Sequence, residues 1–411
     1  MPTRINADVL IPGRGDPVRD GVVVMEDGSI TYAGPASDAP DTPEADSVDA
    51  AAVMPGMWEC HGHFLGSRIA DLRQSILEPA AARGARMAKD AEAAIRAGFT
   101  SVREVGGDGV FLAQAIEDGT VTGPTIYGAH AILSTTGGHG DMHGMPLDWV
   151  HSLTERGGYL RLCDGVDECL KAVREQLRVN AKVIKFCASG GVMSELDDPI
   201  HQQFSLDEMR AIVEEAARAE RGVAAHCHGK PGIMAALAAG VTTIEHGTFL
   251  DEEAAEAMVE ADAILVTTRY IVERLLSVGE DLGVPSYAMD KARAIGAQHE
   301  KAMRIAYEAG VKMAVGTDMF VSGRDLPVAW GQNAHELELL VEIGMSPLEA
   351  IEAATARGPE TLGPQAPRSG QLAEGYDADV LTIASDPSQD VSVLTDVDNI
   401  TGVWKGGVRV H

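Results

Sequence analysis

Residues 205–229 read SLDEMRAIVEEAARAERGVAAHCHG. A helical segment rich in Ala and Glu runs into a short apolar stretch, Val223-Ala224-Ala225, which ends in His226 and His228. The same succession of helix and short strand recurs along the chain. AEAAIRAGF (91–99) precedes TSVREVGG (100–107), and AKVIKFCASGG (181–191), VTTIEHGTF (241–249), AILVTTRY (263–270) and VKMAVGTDMF (311–320) are further strand candidates. Strands that alternate with helices imply a parallel sheet. About eight such units fit between residues 58 and 360, which predicts an α/β fold, a (β/α)8 TIM-like barrel.

The flanks have a different texture. GVVVMEDGSITYAG (21–34) is two apolar runs joined through Asp27-Gly28, a hairpin signal. After EAIEAATARGPETLG (349–363) the chain returns to strand-like text, GYDADVLTIASDP and ITGVWKGGVRV. Residues 1–57 and 361–411 are therefore expected to pair into one small β-sandwich domain built from both termini, around a barrel of residues 58–360.

Composition narrows the partners. The 411 residues carry a formal net charge of −29, which favours solubility and argues against nucleic acid. No run of 18 apolar residues appears, so no membrane span is expected. The start of the chain lacks the basic-then-apolar pattern of a signal peptide. Five cysteines form neither a zinc-ribbon nor a disulfide framework, and reduced thiols in the cytoplasm fit best.

The polar residues that stand out lie at the ends of the predicted strands. WECHGHFLG (58–66) carries His61 and His63, whose i, i+2 spacing lets both imidazoles aim at one point. Lys185 ends Val183-Ile184, His246 ends the run 241–244, and Asp318 follows MAVGT. Singly, each has a duller reading. A strand histidine is usually a core or rim residue, Lys185 could be in a structural ion pair, and Asp318 could cap a helix. Together, on separate strands of one barrel and at the end where such folds build active sites, they form a constellation.

That constellation resembles the metal-dependent amidohydrolase superfamily over nearly the whole chain. Met54-Pro55-Gly56 before the paired histidines and GQLAEGYDADVLTI (370–383) are similar to the family's flanks. The resemblance implies two divalent metal ions, with Zn2+ the expected metal, held by His61, His63, Lys185, His226, His246 and Asp318. It implies that Lys185 is N6-carboxylated, an anionic carbamate in place of an ammonium that two dications would repel. A metal-activated water would attack the carbonyl, and Asp318 would be the catalytic base that passes the proton to the leaving nitrogen.

TTGGHGDMHG (135–144) and TTRYIVER (267–274) resemble the branch of Xaa-Pro dipeptidases, imidazolonepropionase-like proteins and ochratoxin A-hydrolysing amidohydrolases. By that resemblance His139 and Tyr270 would contact the substrate, His228 would line the pocket, and Arg269 or Arg324 could pair a substrate carboxylate. The expected reaction is carboxypeptidase-like hydrolysis of an amide bond to a C-terminal amino acid in an N-acyl amino acid or dipeptide. The specific expectation is ochratoxin A, giving phenylalanine and ochratoxin alpha. The alternatives are a prolidase, a cyclic amidase of the imidazolonepropionase type and, from another class, a non-catalytic metal-binding scaffold. A homo-oligomer is expected from the family.

Overall fold

The computed structural model describes residues 2–155, 158–323, 326 and 328–411. The opening stretch folds as read. Ser205 and Glu208 form a reciprocal capping box at the start of the helix Leu206–Ala217, whose Met209, Ile212 and Ala216 are buried. Strand Gly222–Cys227 follows, buried throughout.

Eight parallel strands position the site. They are β1 (Met57–Ser67), β2 (Phe99–Glu104), β3 (Thr125–Gly128), β4 (Val183–Cys187), β5 (Gly222–Cys227), β6 (Thr243–His246), β7 (Ile264–Val266) and β8 (Lys312–Ala314). β1 to β3 pair in order, and so do β4 to β8. Backbone hydrogen bonds cross both seams, from Lys182 N to Gly128 O at 2.8 Å and from Cys60 N to Val315 O at 2.9 Å. The strand order is thus in keeping with the expected (β/α)8 barrel. Buried faces of short strands read as continuous apolar runs because helices cover the outside of a parallel sheet.

Two strand candidates come out shorter than their sequence suggests. In VKMAVGTDMF, strand stops at Ala314 and resumes as Met319–Val321, which pairs with β1. Gly316 sits where a Cβ would lie 2.7 Å from His61 Cβ, and Asp318 has φ of +60°. Close approach and a left-handed turn break the ladder there. In AILVTTRY, Thr268 at φ +53° turns the chain into the helix Arg269–Val278, so Tyr270 stands in a helix's first turn.

The terminal segments meet in one seven-stranded sheet. Its order is Val408–Arg409, Ile400–Lys405, Val380–Ile383, Asp46–Pro55, Thr3–Leu10, Val18–Glu26, Ser29–Pro35. The Asp27-Gly28 hairpin is present, with both residues at positive φ, +50° and +82°. Backbone hydrogen bonds join the edge strand Ser29–Pro35 to the segment before Val380–Ile383, from Ile30 N to Tyr376 O at 2.8 Å and from Gly375 N to Ile30 O at 2.9 Å, so the sheet curls over itself. Among the described residues, no helix is long and apolar enough to cross a membrane.

Candidate active site

β1 delivers His61 and His63, and Gly62 between them makes room for Trp330, whose ring a Cβ would approach to 2.4 Å. Trp330 in turn stacks on Phe64, centroids 4.1 Å apart. The β1–β2 register shifts between Glu59 and Gly62, yet the two imidazoles converge as their spacing predicts. Their Nε2 atoms lie 3.7 and 3.0 Å from Asp318 Oδ1. Lys185 on β4 is buried, with Nζ 3.4 Å from His61 Nε2.

A second group stands beside the first. His226, His228 and His246 bring one ring nitrogen each within 4.8 Å of one another, as do His61, His63 and Asp318 among their own ligand atoms. The His61 and His246 rings, centroids 4.7 Å apart, join the two groups. His228, expected to line the pocket, packs among the candidate ligands. Imidazole and carboxylate donors so grouped have the chemistry of a divalent transition-metal site.

Partners behind the rings fix their orientation. Nδ1 of His61 meets Glu245 Oε2 at 2.7 Å, that of His63 meets Gly106 O at 2.7 Å, that of His228 meets Thr248 Oγ1 at 2.7 Å and that of His246 meets Thr268 Oγ1 at 2.8 Å. In these four rings Nε2 is left to face the centre, and the carboxylate and carbonyl acceptors also set the tautomer of His61 and His63. His226 is the exception: its Nε2 meets Gly190 O at 3.1 Å.

Burial sets the charges. It pulls His61 and His139 down to about 4 and His228 to about 3, with His226 and His246 also well below the usual range. All five are neutral at pH 7, the form that ligates a cation. Burial also lowers Lys185. Asp318 goes the other way: burial would raise it, but the His63 imidazole against its Oδ1 and the neighbouring His61 and Lys185 outweigh this and keep it an anion.

Sequence reading passed over a layer of buried acids and one arginine. Glu59 accepts from His61 N at 2.8 Å, Thr317 N at 2.9 Å, Thr317 Oγ1 at 2.7 Å and Asn333 Nδ2 at 2.7 Å, tying β1 to the segment before Asp318. Glu245 receives both His61 and the buried Arg103 Nη2, each at 2.7 Å. Burial alone would raise Glu245, but Arg103 and His61 hold it well below the usual carboxylate range. Glu336 accepts from the main chain of Arg269 and Tyr270 at 2.9 and 2.7 Å and holds the Thr268 turn. The available signal was their position beside motif residues: Glu59 is two before His61 and Glu245 is one before His246. Backbone conformation marks the same place. His246, Thr268 and Asp318 all have positive φ, at roughly 1–3 kcal/mol each.

All six candidate ligands, with His139 and His228, line one cavity whose other wall is apolar: Leu72, Ile132, Leu160, Val192, Met193, Ile271 and Phe320 among others. His139 meets Ser194 Oγ through Nδ1 at 2.8 Å and stacks on His226. Tyr270 is not brought into this lining; its hydroxyl donates to Gln332 Oε1 at 3.0 Å. Arg269 points to the helix Ser286–Glu308, donating to Gly296 O at 3.3 Å. Arg324 lies outside the described residues.

A model of the amidohydrolase family matches residues 52–410. The chain is 44% identical to an ochratoxinase of Aspergillus niger over 423 aligned positions, covering 98% of this chain and 86% of that protein. It is 25% identical to an imidazolonepropionase of Nocardia farcinica, over 96% and 92% of the two chains. Among solved structures, A. niger ochratoxinase superposes with a TM-score of 0.91 at 41% identity, covering 99% of this chain and 95% of that one. A prolidase complexed with N-methylphosphonate-L-proline superposes with a TM-score of 0.92 at 33% identity, covering 100% and 99%.

Proposed function

We propose, from the premise that the chain belongs to the amidohydrolase family, that it is a binuclear metal hydrolase cleaving the amide bond to a C-terminal amino acid. The observation that carries this reading is the pair of adjoining donor groups, His61–His63–Asp318 and His226–His228–His246, with Lys185 between strands of both. The ligand set is His61, His63, Lys185, His226, His246 and Asp318, with Lys185 carrying CO2 as a carbamate and zinc the expected metal. Metal bound there supplies Lewis acidity at the scissile carbonyl and acidifies a water.

The chain's own groups do the rest. Glu245 and Gly106 hold the His61 and His63 rings in one tautomer each, and Thr268 holds the His246 ring in place. Asp318 takes the proton from the attacking water and returns it to the leaving nitrogen. His139, held at Nδ1 by Ser194, turns its other nitrogen to the substrate, and His228 lies on the same wall. The apolar wall accommodates a large hydrophobic acyl or side-chain group, and it excludes water that would compete for the donors.

The substrate class is an N-acyl amino acid or dipeptide, with ochratoxin A the specific candidate, since the ochratoxinase relative matches 98% of the chain. An Xaa-Pro dipeptide is the second reading, favoured by the prolidase likeness. We read residues 1–57 and 361–411 as one composite β-sandwich unit and residues 58–360 as the barrel, in a cytoplasmic homo-oligomer. The test is a hydrolysis screen of metal-loaded protein against ochratoxin A, other N-acyl amino acids, Xaa-Pro dipeptides and imidazolonepropionate. Release of phenylalanine and the isocoumarin acid is the expected result. Turnover of the cyclic amide alone, or of nothing in the panel, would overturn the substrate class.

A further inference from the structure

Lys291 stands on the helix Ser286–Glu308 and reaches into the connection that follows β4. Its Nζ donates to three main-chain oxygens there: Gly191 at 3.0 Å, Ser194 at 2.7 Å and Asp197 at 2.5 Å. Asp197 Oδ1 is 3.4 Å away. An ammonium has three protons, and all three are spent on one loop. That loop presents Val192 and Met193 to the cavity.

The same loop holds His139 at two points. Ser194 Oγ meets its Nδ1 at 2.8 Å. Asp197 Oδ2 accepts from Gly191 N at 2.8 Å and from Gln203 Nε2 at 3.2 Å, and Gln203 Oε1 accepts from His139 N at 3.0 Å. The ring and the main chain of His139 are therefore fixed by groups that Lys291 draws together. The helix is anchored two turns further along as well. Lys291, Ile295 and His299 are spaced by four and share a face. Ile295 lines the cavity, and His299 Nε2 donates to the His246 carbonyl at 2.9 Å. One rigid element thus touches both the loop behind His139 and the main chain of His246.

We propose that Lys291 is a positioning residue for substrate selection: it clamps the 190–198 loop and, through Ser194, sets the His139 imidazole against the bound substrate. The substrate part of this inference rests on the role given to His139 above; the clamp itself does not. Without the ammonium, three converging carbonyls lose their donor, and the loop must open to water or rearrange.

Lys291→Met keeps the aliphatic stem and removes the protons. In metal-loaded protein, hydrogen exchange over residues 190–198 should quicken by about tenfold or more, with metal content unchanged. On an N-acyl amino acid, kcat/KM should fall about tenfold, mostly through KM. Placed in His139→Ala, the same change should cost under about twofold, because its effect passes through His139. Lys291→Arg retains the charge but cannot direct three protons at one focus, so it should show a smaller change of the same kind, and it covers the case in which Lys291→Met does not fold. Unchanged exchange over 190–198 in either variant would overturn the clamp. An equal loss of kcat/KM with and without His139 would overturn its route to the substrate. If no substrate of the class is turned over, the functional reading fails, and the exchange measurement still decides the clamp.

Discussion

Asp318 can be tested apart from the metal it is proposed to bind. Its oxygen lies 3.0 Å from His63 Nε2, and the segment after it is the strand Met319–Val321, so the helix-capping alternative has no helix to cap. Asp318→Asn preserves shape and a coordinating oxygen but cannot accept the water proton. Its kcat should fall by about 10²–10⁴, with metal content and melting temperature close to those of the parent. Normal turnover with metal bound would remove Asp318 from proton transfer. Tyr270 poses the opposite case. The resemblance to peptidases pointed to a substrate contact, whereas its hydroxyl is committed to Gln332. Tyr270→Phe should therefore cost stability by about 1 kcal/mol and leave KM unchanged. A raised KM for an acid substrate, with no change for its amide, would return Tyr270 to the carboxylate.

Helix Ala80–Arg96 packs against β1, and its Asp90 is buried, accepting a hydrogen bond from Ser322 just beyond Met319–Val321. Burial is the larger influence and raises the carboxyl to about 7, against the lowering effect of Ser322. The folded protein thus keeps Asp90 protonated at pH values where the unfolded chain has released the proton. The stability it contributes is complete below the unfolded pKa near 4 and is lost as pH rises through 7, a decline of about 2–4 kcal/mol. Asn keeps the acceptor and does not titrate. Urea melts at pH 5 and pH 8 should show a smaller decline in Asp90→Asn than in the parent; equal declines would mean that Asp90 is ionised throughout. The sequence marks the last part of this helix, in AEAAIRAGF, but not the acid's burial, because Asp90 lies on the stripe that β1 and Ser322 cover only after the chain has closed.

Across the molecule, the proposed ligands come from β1, β4, β5, β6 and the segment after β8. Metal would therefore fasten five separate stretches of the strand ring. Anything that binds the folded form alone stabilises it, by about 2.7 kcal/mol at a hundredfold its Kd. Chelation should lower the melting temperature by several degrees and abolish hydrolysis, and added metal should restore both. A chelated protein with undiminished melting temperature and turnover would sink the metal mechanism. The −29 net charge acts in the same direction, since a polyanion retains cations near a site already lined with neutral imidazoles.

Much of this was legible in one dimension. Alternation of helix and apolar strand is a local property, so 205–229 and its repeats announced the parallel fold, and the i, i+2 histidines announced a shared focus. The Asp27-Gly28 turn and the return of strand-like text after residue 363 announced the paired ends. What local pattern could not carry was distance between strands. That Glu245 on β6 stands behind His61 on β1, that His228 joins the candidate ligands, and that Tyr270 turns to Gln332 all depend on strand stagger and on left-handed turns at Thr268 and Asp318. Those are settled by packing across the ring, where residues on different elements must satisfy one another's buried charges and hydrogen bonds.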